Sequence, residues 1–140
     1  EERAMLDNVK YCLANQQVLV TFNGKSFDWP QVRDRCVLHA GAADCGLPEL
    51  IHVDLLHLAR QRWKLLLPDC KLQTLERFIC GRHRTDDIPG REIPAAYDEY
   101  VRSGRTDQMD SVLHHNALDI VTLLEIAMRW DERLAADRCA

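Results

Sequence analysis

The run from Val18 to Phe22 constrains the fold more than any other stretch of the chain. It is apolar or β-branched at nearly every position, and Asn23-Gly24 follows it directly. A run without polar alternation is typical of a strand buried on both faces of a parallel sheet. We therefore predict a strand at residues 17–22, ended by an asparagine–glycine turn.

A second strand and the helices can be placed around this one. A helix from Trp29 or Pro30 to about His39, then a short strand at Ile51–Val53, would complete a βαβ unit with two parallel strands. Further helices are predicted at residues 3–14, 55–63, 72–80, 94–103 and 108–135. Asp54 is a natural N-cap for the helix at 55–63. The helix at 72–80 should turn Leu75 and Phe78 inward and end at Gly81. The pattern predicts an α/β fold in a single domain, residues 1–140.

Composition narrows the class of protein. The chain has 140 residues, is 46% hydrophobic and carries a net charge of -4, which argues against a general nucleic-acid coat protein. No apolar run approaches the roughly 18 residues that a membrane-spanning helix needs, so we expect no membrane partner. The six cysteines show no C-x-x-C spacing and are interpreted as reduced thiols of a cytoplasmic protein.

Asp28 is the first candidate site residue. It follows the predicted strand and precedes Trp29-Pro30, where it could cap the next helix, a contact worth about 1 kcal/mol. Ligands of open α/β sheets also collect at the carboxyl ends of strands. The position alone leaves both interpretations open.

A second carboxylate, Asp119, lies among apolar residues of the last predicted helix. A carboxylate in such surroundings loses solvation and favours a cation, although it could equally lie at a solvated edge. His115 precedes it by four residues, about 40° away around a helix, whereas His114 is about 140° away. A neutral histidine on this face could act as a general base, or lie on the surface.

A group of basic residues follows the helix at 72–80. Arg82, Arg84 and Arg91, with Lys71 and Arg77 nearby in sequence, could form a rim that contacts phosphates. Clusters of this kind are more often solvated faces. Both interpretations remain open at this point.

Taken in order along the chain, these residues resemble the motifs of a known family. Thr21–Pro30 is similar to the second motif of the DEDD 3′–5′ exonucleases, in the version N-G-x-x-F-D-x-P, and His115–Asp119 is similar to the third. Five further segments resemble the YprB-type ribonuclease H-like branch of that superfamily: His52–Leu56, Ala59-Arg60, Asp87–Gly90, Ile93-Pro94 and Tyr97–Tyr100. The resemblance covers nearly all of the chain.

The resemblance implies a ribonuclease H-like fold and hydrolysis of phosphodiester bonds with two Mg²⁺ or Mn²⁺ ions. Asp28 and Asp119 would be catalytic metal ligands, and His115 would stand in the place of the general base. His114 fits the five-residue spacing of the family's histidine subtype, so the base stays open between the two.

The substrate implied by the resemblance is nucleic acid, either DNA or RNA, as a single strand or a 3′ end. The residues expected to contact it are Asn23, Lys25, Phe27, Arg82 and Arg84. No base-reading motif is present that would tell DNA from RNA.

One departure from the family limits these expectations. The first motif, D-x-E on an early strand, is absent, and nothing before Val18 has the pattern of a strand. We therefore expect the fold to lack its first antiparallel strands, either because they precede residue 1 in a longer domain or because this relative lost them. The chain as it stands should be an inactive or weak nuclease. The alternatives are a non-catalytic ribonuclease H-like module that binds nucleic acid or protein, and an all-helical interaction domain.

Overall fold

The computed structural model describes residues 1–40 and 45–138, with side chains described as far as residue 130. The chain divides into two compact units, Glu1–Leu66 and Leu67–Ala140. Helices and a short parallel sheet make up a mixed α/β structure, which confirms the predicted fold class and excludes the all-helical alternative. The assignment of residues 1–140 to one domain stays a prediction.

The first unit contains the predicted βαβ arrangement. Its elements are α1 (Glu2–Leu13), β1 (Val18–Thr21), α2 (Asp28–Ala40), β2 (Ile51–Asp54) and α3 (Leu55–Trp63). Strands β1 and β2 are parallel and in register from Val18 opposite Ile51 to Thr21 opposite Asp54. This register puts the carboxyl ends of both strands at one edge of the sheet. The turn after β1 and the first turn of α3 therefore meet there.

The prediction that β1 is buried on both faces is wrong. Val18 and Val20 are 47% and 38% exposed, and Ile51, which pairs with Val18, is exposed as well. Leu19 and Thr21, which point to the opposite face, are partly buried. A run that is apolar on both sides needs packing layers on both sides, and the first unit packs the Leu19 side.

The second unit contains α4 (Leu72–Ile79), a 3₁₀ turn (Gly90–Glu92), α5 (Ile93–Ser103) and α6 (Met109–Arg138). Gly81 and Gly104 follow α4 and α5 with φ of +69° and +71°, the left-handed conformation in which glycine ends a helix without strain. The predicted ends of both helices are thus confirmed. Helix α6 packs against both α4 and α5.

One face of α6 is buried in the second unit. Val112, His115, Thr122 and Ile126 are all buried, and their spacings of three, seven and four residues keep them on one side of the helix. Leu75 of α4 is fully buried as predicted, but Phe78 is 53% exposed, so the inward orientation predicted for it is wrong. The hydrophobic stripe of α4 is therefore narrower than the sequence pattern indicates.

Two findings bear on the predicted class of protein. Cys12, Cys36, Cys45, Cys70 and Cys80 are free thiols in the described part of the chain, and Cys139 lies outside the described residues. That they are reduced in the cell stays a prediction. In the part of the chain that the structure describes, no helix is long and apolar enough to cross a membrane.

Candidate active site

The loop that carries the second motif, residues 22–27, is held by the buried carboxylate of Asp54. Its Oδ1 accepts hydrogen bonds from the backbone N–H groups of Asn23, at 2.8 Å, and Leu56, at 3.1 Å, and its Oδ2 accepts one from Lys25 at 2.9 Å. Asp54 therefore caps α3, as predicted, and also fixes the loop after β1. We call residues 22–27 the motif loop.

A close approach inside the motif loop explains its asparagine–glycine pair. Asn23 has a φ of +65°, which asparagine tolerates better than most residues. Gly24 is buried, and a Cβ built on it would lie 2.5 Å from the Cβ of Thr21. Thr21 itself is fixed by a 2.8 Å hydrogen bond between its hydroxyl and Nε2 of His52. Only glycine fits between these groups.

The carboxylate of Asp54 should make the first unit sensitive to acid. Burial acts to raise the pKa of Asp54, but the three backbone donors outweigh it and hold the pKa below its ordinary value. A lowered folded-state pKa gives stability that is present above the unfolded value, about 3.9, and is lost as the pH falls through the folded value. We expect Asp54→Asn to be less stable than the wild type near neutral pH, and the difference to shrink below about pH 4.

Urea denaturation of both proteins at a series of pH values measures this difference. Asp34→Asn is the matched control, because Asp34 is an exposed aspartate of the same unit. A difference between wild type and Asp54→Asn that stayed constant from neutral pH to pH 3 would contradict the expectation.

Asp28 lies where the motif loop enters α2. It is the first residue of that helix rather than the residue before it, and its exposed side chain has no hydrogen bond or ion pair with any described residue. It therefore does not make the side-chain cap that its position allowed, although a negative charge in a first turn is favourable to the helix. Asn23, Lys25 and Phe27 of the motif loop are exposed beside it in sequence.

The second unit brings His115 and Asp119 together with a carboxylate that the sequence analysis did not select. Nδ1 of His115 lies 2.9 and 3.0 Å from the two carboxylate oxygens of Asp87, and both side chains are less than a tenth exposed. Nε2 of the same ring lies 3.5 Å from Oδ2 of Asp119. His115 thus has a carboxylate at each ring nitrogen, whereas His114 is exposed.

Arg84 connects these groups. Its guanidinium, 7% exposed, donates to Asp87 at 3.1 Å, to Asp119 at 2.7 Å and to the buried carboxylate of Glu76. Burial acts to lower the pKa of Arg84, but the hydrogen bonds to the three carboxylates outweigh it and raise that pKa. These four residues and His115 are called the Arg84 cluster below.

Arg82, the other arginine expected to contact substrate, is also paired. Its Nη2 lies 2.9 Å from Glu125 and donates to the hydroxyl of the buried Thr122 at 3.1 Å. About a third of the Arg82 side chain is exposed, against 7% for Arg84. Of the two, Arg82 is the more accessible to a phosphate.

Asp87 and Glu76 were not predicted from the sequence as members of the site, and Asp54 was predicted only as a helix cap. Asp87 stands in the Asp87–Gly90 stretch that carried part of the family resemblance, three residues after Arg84. That spacing was a usable signal. No sequence signal pointed to Glu76, because a glutamate on a short helix is ordinarily a surface residue.

The residues described here do not fit two metal ions by themselves. One carboxylate oxygen of Asp119 already accepts a hydrogen bond from Arg84. Within residues 1–40 and 45–130, no three histidine, cysteine, aspartate or glutamate side chains are grouped so that they could hold a metal ion.

Comparison with known proteins identifies the class. The family described as the RNase_H superfamily, RNase_H_2, matches residues 1–131, so the chain belongs to this ribonuclease H-like family. Membership points to nuclease-like chemistry on nucleic acid, for which this superfamily generally uses divalent metal ions. This bears out the family resemblance drawn from the motifs.

One curated relative is the protein named "Uncharacterized protein YprB" of Bacillus subtilis (strain 168). It is 37% identical over 119 residues, which cover 85% of this chain and 29% of the relative. The chain thus spans less than a third of the length of the relative it matches. No solved structure matches the chain.

Proposed function

We propose that this chain is part of a metal-dependent 3′–5′ exonuclease domain that hydrolyses phosphodiester bonds in DNA or RNA. The observation that carries the proposal is the position of the buried His115 ring between the buried carboxylate of Asp87 and the partly exposed carboxylate of Asp119 in a ribonuclease H-like chain. A histidine whose ring lies between carboxylates at a helix face is suited to accept a proton from an attacking water. The cytoplasmic location expected from the sequence stays a prediction.

Each site residue has a proposed role. Asp28 and Asp119 are metal ligands for Mg²⁺ or Mn²⁺, and His115 is the general base. Bound ions would supply the activation of water and the stabilisation of the leaving oxygen. Two carboxylates alone do not make up the donor set for two ions.

Contacts to the nucleic acid are proposed at two places. Asn23, Lys25 and Phe27 are exposed on the motif loop and offer an amide, a cation and an aromatic ring to a strand. Arg82 can contact a phosphate through its exposed part. Arg84 would do so only by exchanging one of its three carboxylates for the phosphate, so its role in substrate binding is the weaker of the two.

A labelled single-stranded oligonucleotide tests the proposal. With Mg²⁺ or Mn²⁺, the natural full-length product of the gene should shorten the strand from its 3′ end, and Asp28→Ala or Asp119→Ala should lower the rate by at least about 100-fold. The 140-residue chain should show little or no hydrolysis. Asp34→Ala, which removes an exposed aspartate of α2, is the control and should leave the rate unchanged.

Either part of this proposal can fail separately. If the full-length product hydrolysed neither DNA nor RNA with either ion, the exonuclease assignment would be overturned. If the 140-residue chain degraded the strand efficiently and Asp119→Ala abolished this, the expected inactivity would be wrong.

One observation favours a second candidate, a non-catalytic module that binds nucleic acid or protein. The Arg84 guanidinium neutralises Asp119, so a described carboxylate of the site is already matched by a cation of the chain itself. For nucleic acid, such a module would show salt-sensitive gel-shift binding that does not depend on metal or on Asp28. Binding that required both metal and Asp28 would argue against this candidate.

A further inference from the structure

The contact between His115 and Asp87 determines where the ring carries its hydrogen. An ionised carboxylate can only accept hydrogen bonds, so Nδ1, at 2.9 and 3.0 Å from the Asp87 oxygens, must be the N–H group. Burial acts to raise the pKa of Asp87, but hydrogen bonds from Arg84 and His115 outweigh it and keep that pKa below its ordinary value. Asp87 is therefore ionised near neutral pH and holds the Nδ1–H form.

The rest of the Arg84 cluster fixes Asp87 in turn. Arg84 donates one nitrogen to Asp87 and another to Asp119, so a single rigid guanidinium sets the distance between the two carboxylates on either side of His115. Glu76, buried on α4, accepts a hydrogen bond from Nε, the third nitrogen of the guanidinium. Neither carboxylate can shift without breaking a charged hydrogen bond in a largely buried setting.

When the ring is neutral, the other ring nitrogen is left with a lone pair. Nε2 lies 3.5 Å from Oδ2 of Asp119, which is too far for a good hydrogen bond. Gly90 stands beside it, and a Cβ built there would lie 4.0 Å from Nε2. Because residue 90 is glycine, it places no side chain in the space next to Nε2. Nε2 is thus the atom that can accept a proton at the edge of the Asp119 carboxylate.

We propose that Asp87 is a positioning residue for His115, which fixes the Nδ1–H tautomer and turns Nε2 towards Asp119. This assigns the general-base role to His115 rather than to His114, which is exposed and has no hydrogen bond or ion pair with a described residue. The catalytic part of the inference rests on the proposed nuclease function. The tautomer part does not, because it concerns only the ground state of the folded chain.

Nitrogen NMR of the imidazole rings tests the tautomer directly. In ¹⁵N-labelled protein at a pH where the ring is neutral, His115, assigned by its absence in His115→Gln, should show the proton on Nδ1. Asp87→Ala should shift the population towards the Nε2–H form, which free histidine prefers in water. Asp86→Asn is the matched control, since Asp86 is the exposed neighbour with a φ of +58°, which asparagine tolerates.

Two results would overturn the proposal: an Nε2–H tautomer for His115 in the wild type, or an Nδ1–H tautomer that persists in folded Asp87→Ala. If Asp87→Ala does not fold, the wild-type spectrum alone still decides. A residue that only stabilised the unit would change the melting temperature without changing the tautomer of the remaining folded protein.

Activity of the full-length product gives the second readout. Asp87→Ala should lower kcat by about 100-fold, the usual contribution of a positioned general base, and leave KM within about threefold. An unchanged kcat would overturn the positioning role. If no variant and no wild type shows hydrolysis, the nuclease proposal fails, and the tautomer result is judged by itself.

Discussion

Replacing Arg84 with alanine is expected to destabilise the second unit strongly. The substitution removes the guanidinium that bonds to both Glu76 and Asp87, and both carboxylates are less than a tenth exposed. Removing one partner of a buried ion pair typically costs about 3–5 kcal/mol, because the remaining charge stays buried and uncompensated. Urea denaturation followed by circular dichroism measures the loss.

Arg91→Ala is the control for this prediction. Arg91 is 85% exposed, and its one ion pair among the described residues is with Glu92 at 3.7 Å, so its loss should cost less than about 1 kcal/mol. Equal destabilisation by the two substitutions would show that the Arg84 cluster is not the buried network that its distances indicate.

Gly24→Ala is expected to lower the stability of the first unit. Its Cβ would lie 2.5–2.7 Å from three atoms of the Thr21 side chain, so either β1 or the motif loop must move. Overpacking of this kind costs about 1–3 kcal/mol. The movement should also weaken the hydrogen bonds that Asp54 makes to the loop. A lower thermal midpoint, together with changed amide shifts for Asn23 and Lys25, is the expected result.

Gly90→Ala serves as the control for Gly24→Ala. Its φ is not in the left-handed region, and its Cβ would meet Nε2 of His115 at 4.0 Å, an ordinary contact distance. We expect a change in stability of less than about 0.5 kcal/mol, as for substitutions away from tight packing. If Gly24→Ala were equally mild, the close approach to Thr21 would not be a real constraint on the loop.

The order of elements could be predicted because the signals that end them are local. Gly81 and Gly104 adopt the left-handed conformation that their positions after apolar stripes indicate, and Asn23-Gly24 ends β1. The burial of β1 could not be predicted in the same way. Val18 and Val20 look alike in sequence whether or not a packing layer covers their face, so the pattern says only that they could be buried.

The site was predicted in part, for a similar reason. Helix periodicity selects His115 over His114 as the neighbour of Asp119, and the structure places His115 on the buried face of α6. The partner at Nδ1, Asp87, reaches the ring from a loop 28 residues away. Which loop residue arrives there depends on how the chain packs against α6, and no spacing within the sequence encodes that.

The hydrogen bonds of Asp54 also imply an order of folding events. The amides of Asn23 and Lys25 precede the carboxylate that holds them by 31 and 29 residues, so a loop of that length must close before they can bond. The motif loop therefore takes its final shape late, after β2 has paired with β1 and the first turn of α3 has formed. A peptide from Val18 to Pro30 would not keep this shape. The surface that presents Asp28 is thus a product of the whole strand pair, and any opening of β2 releases it.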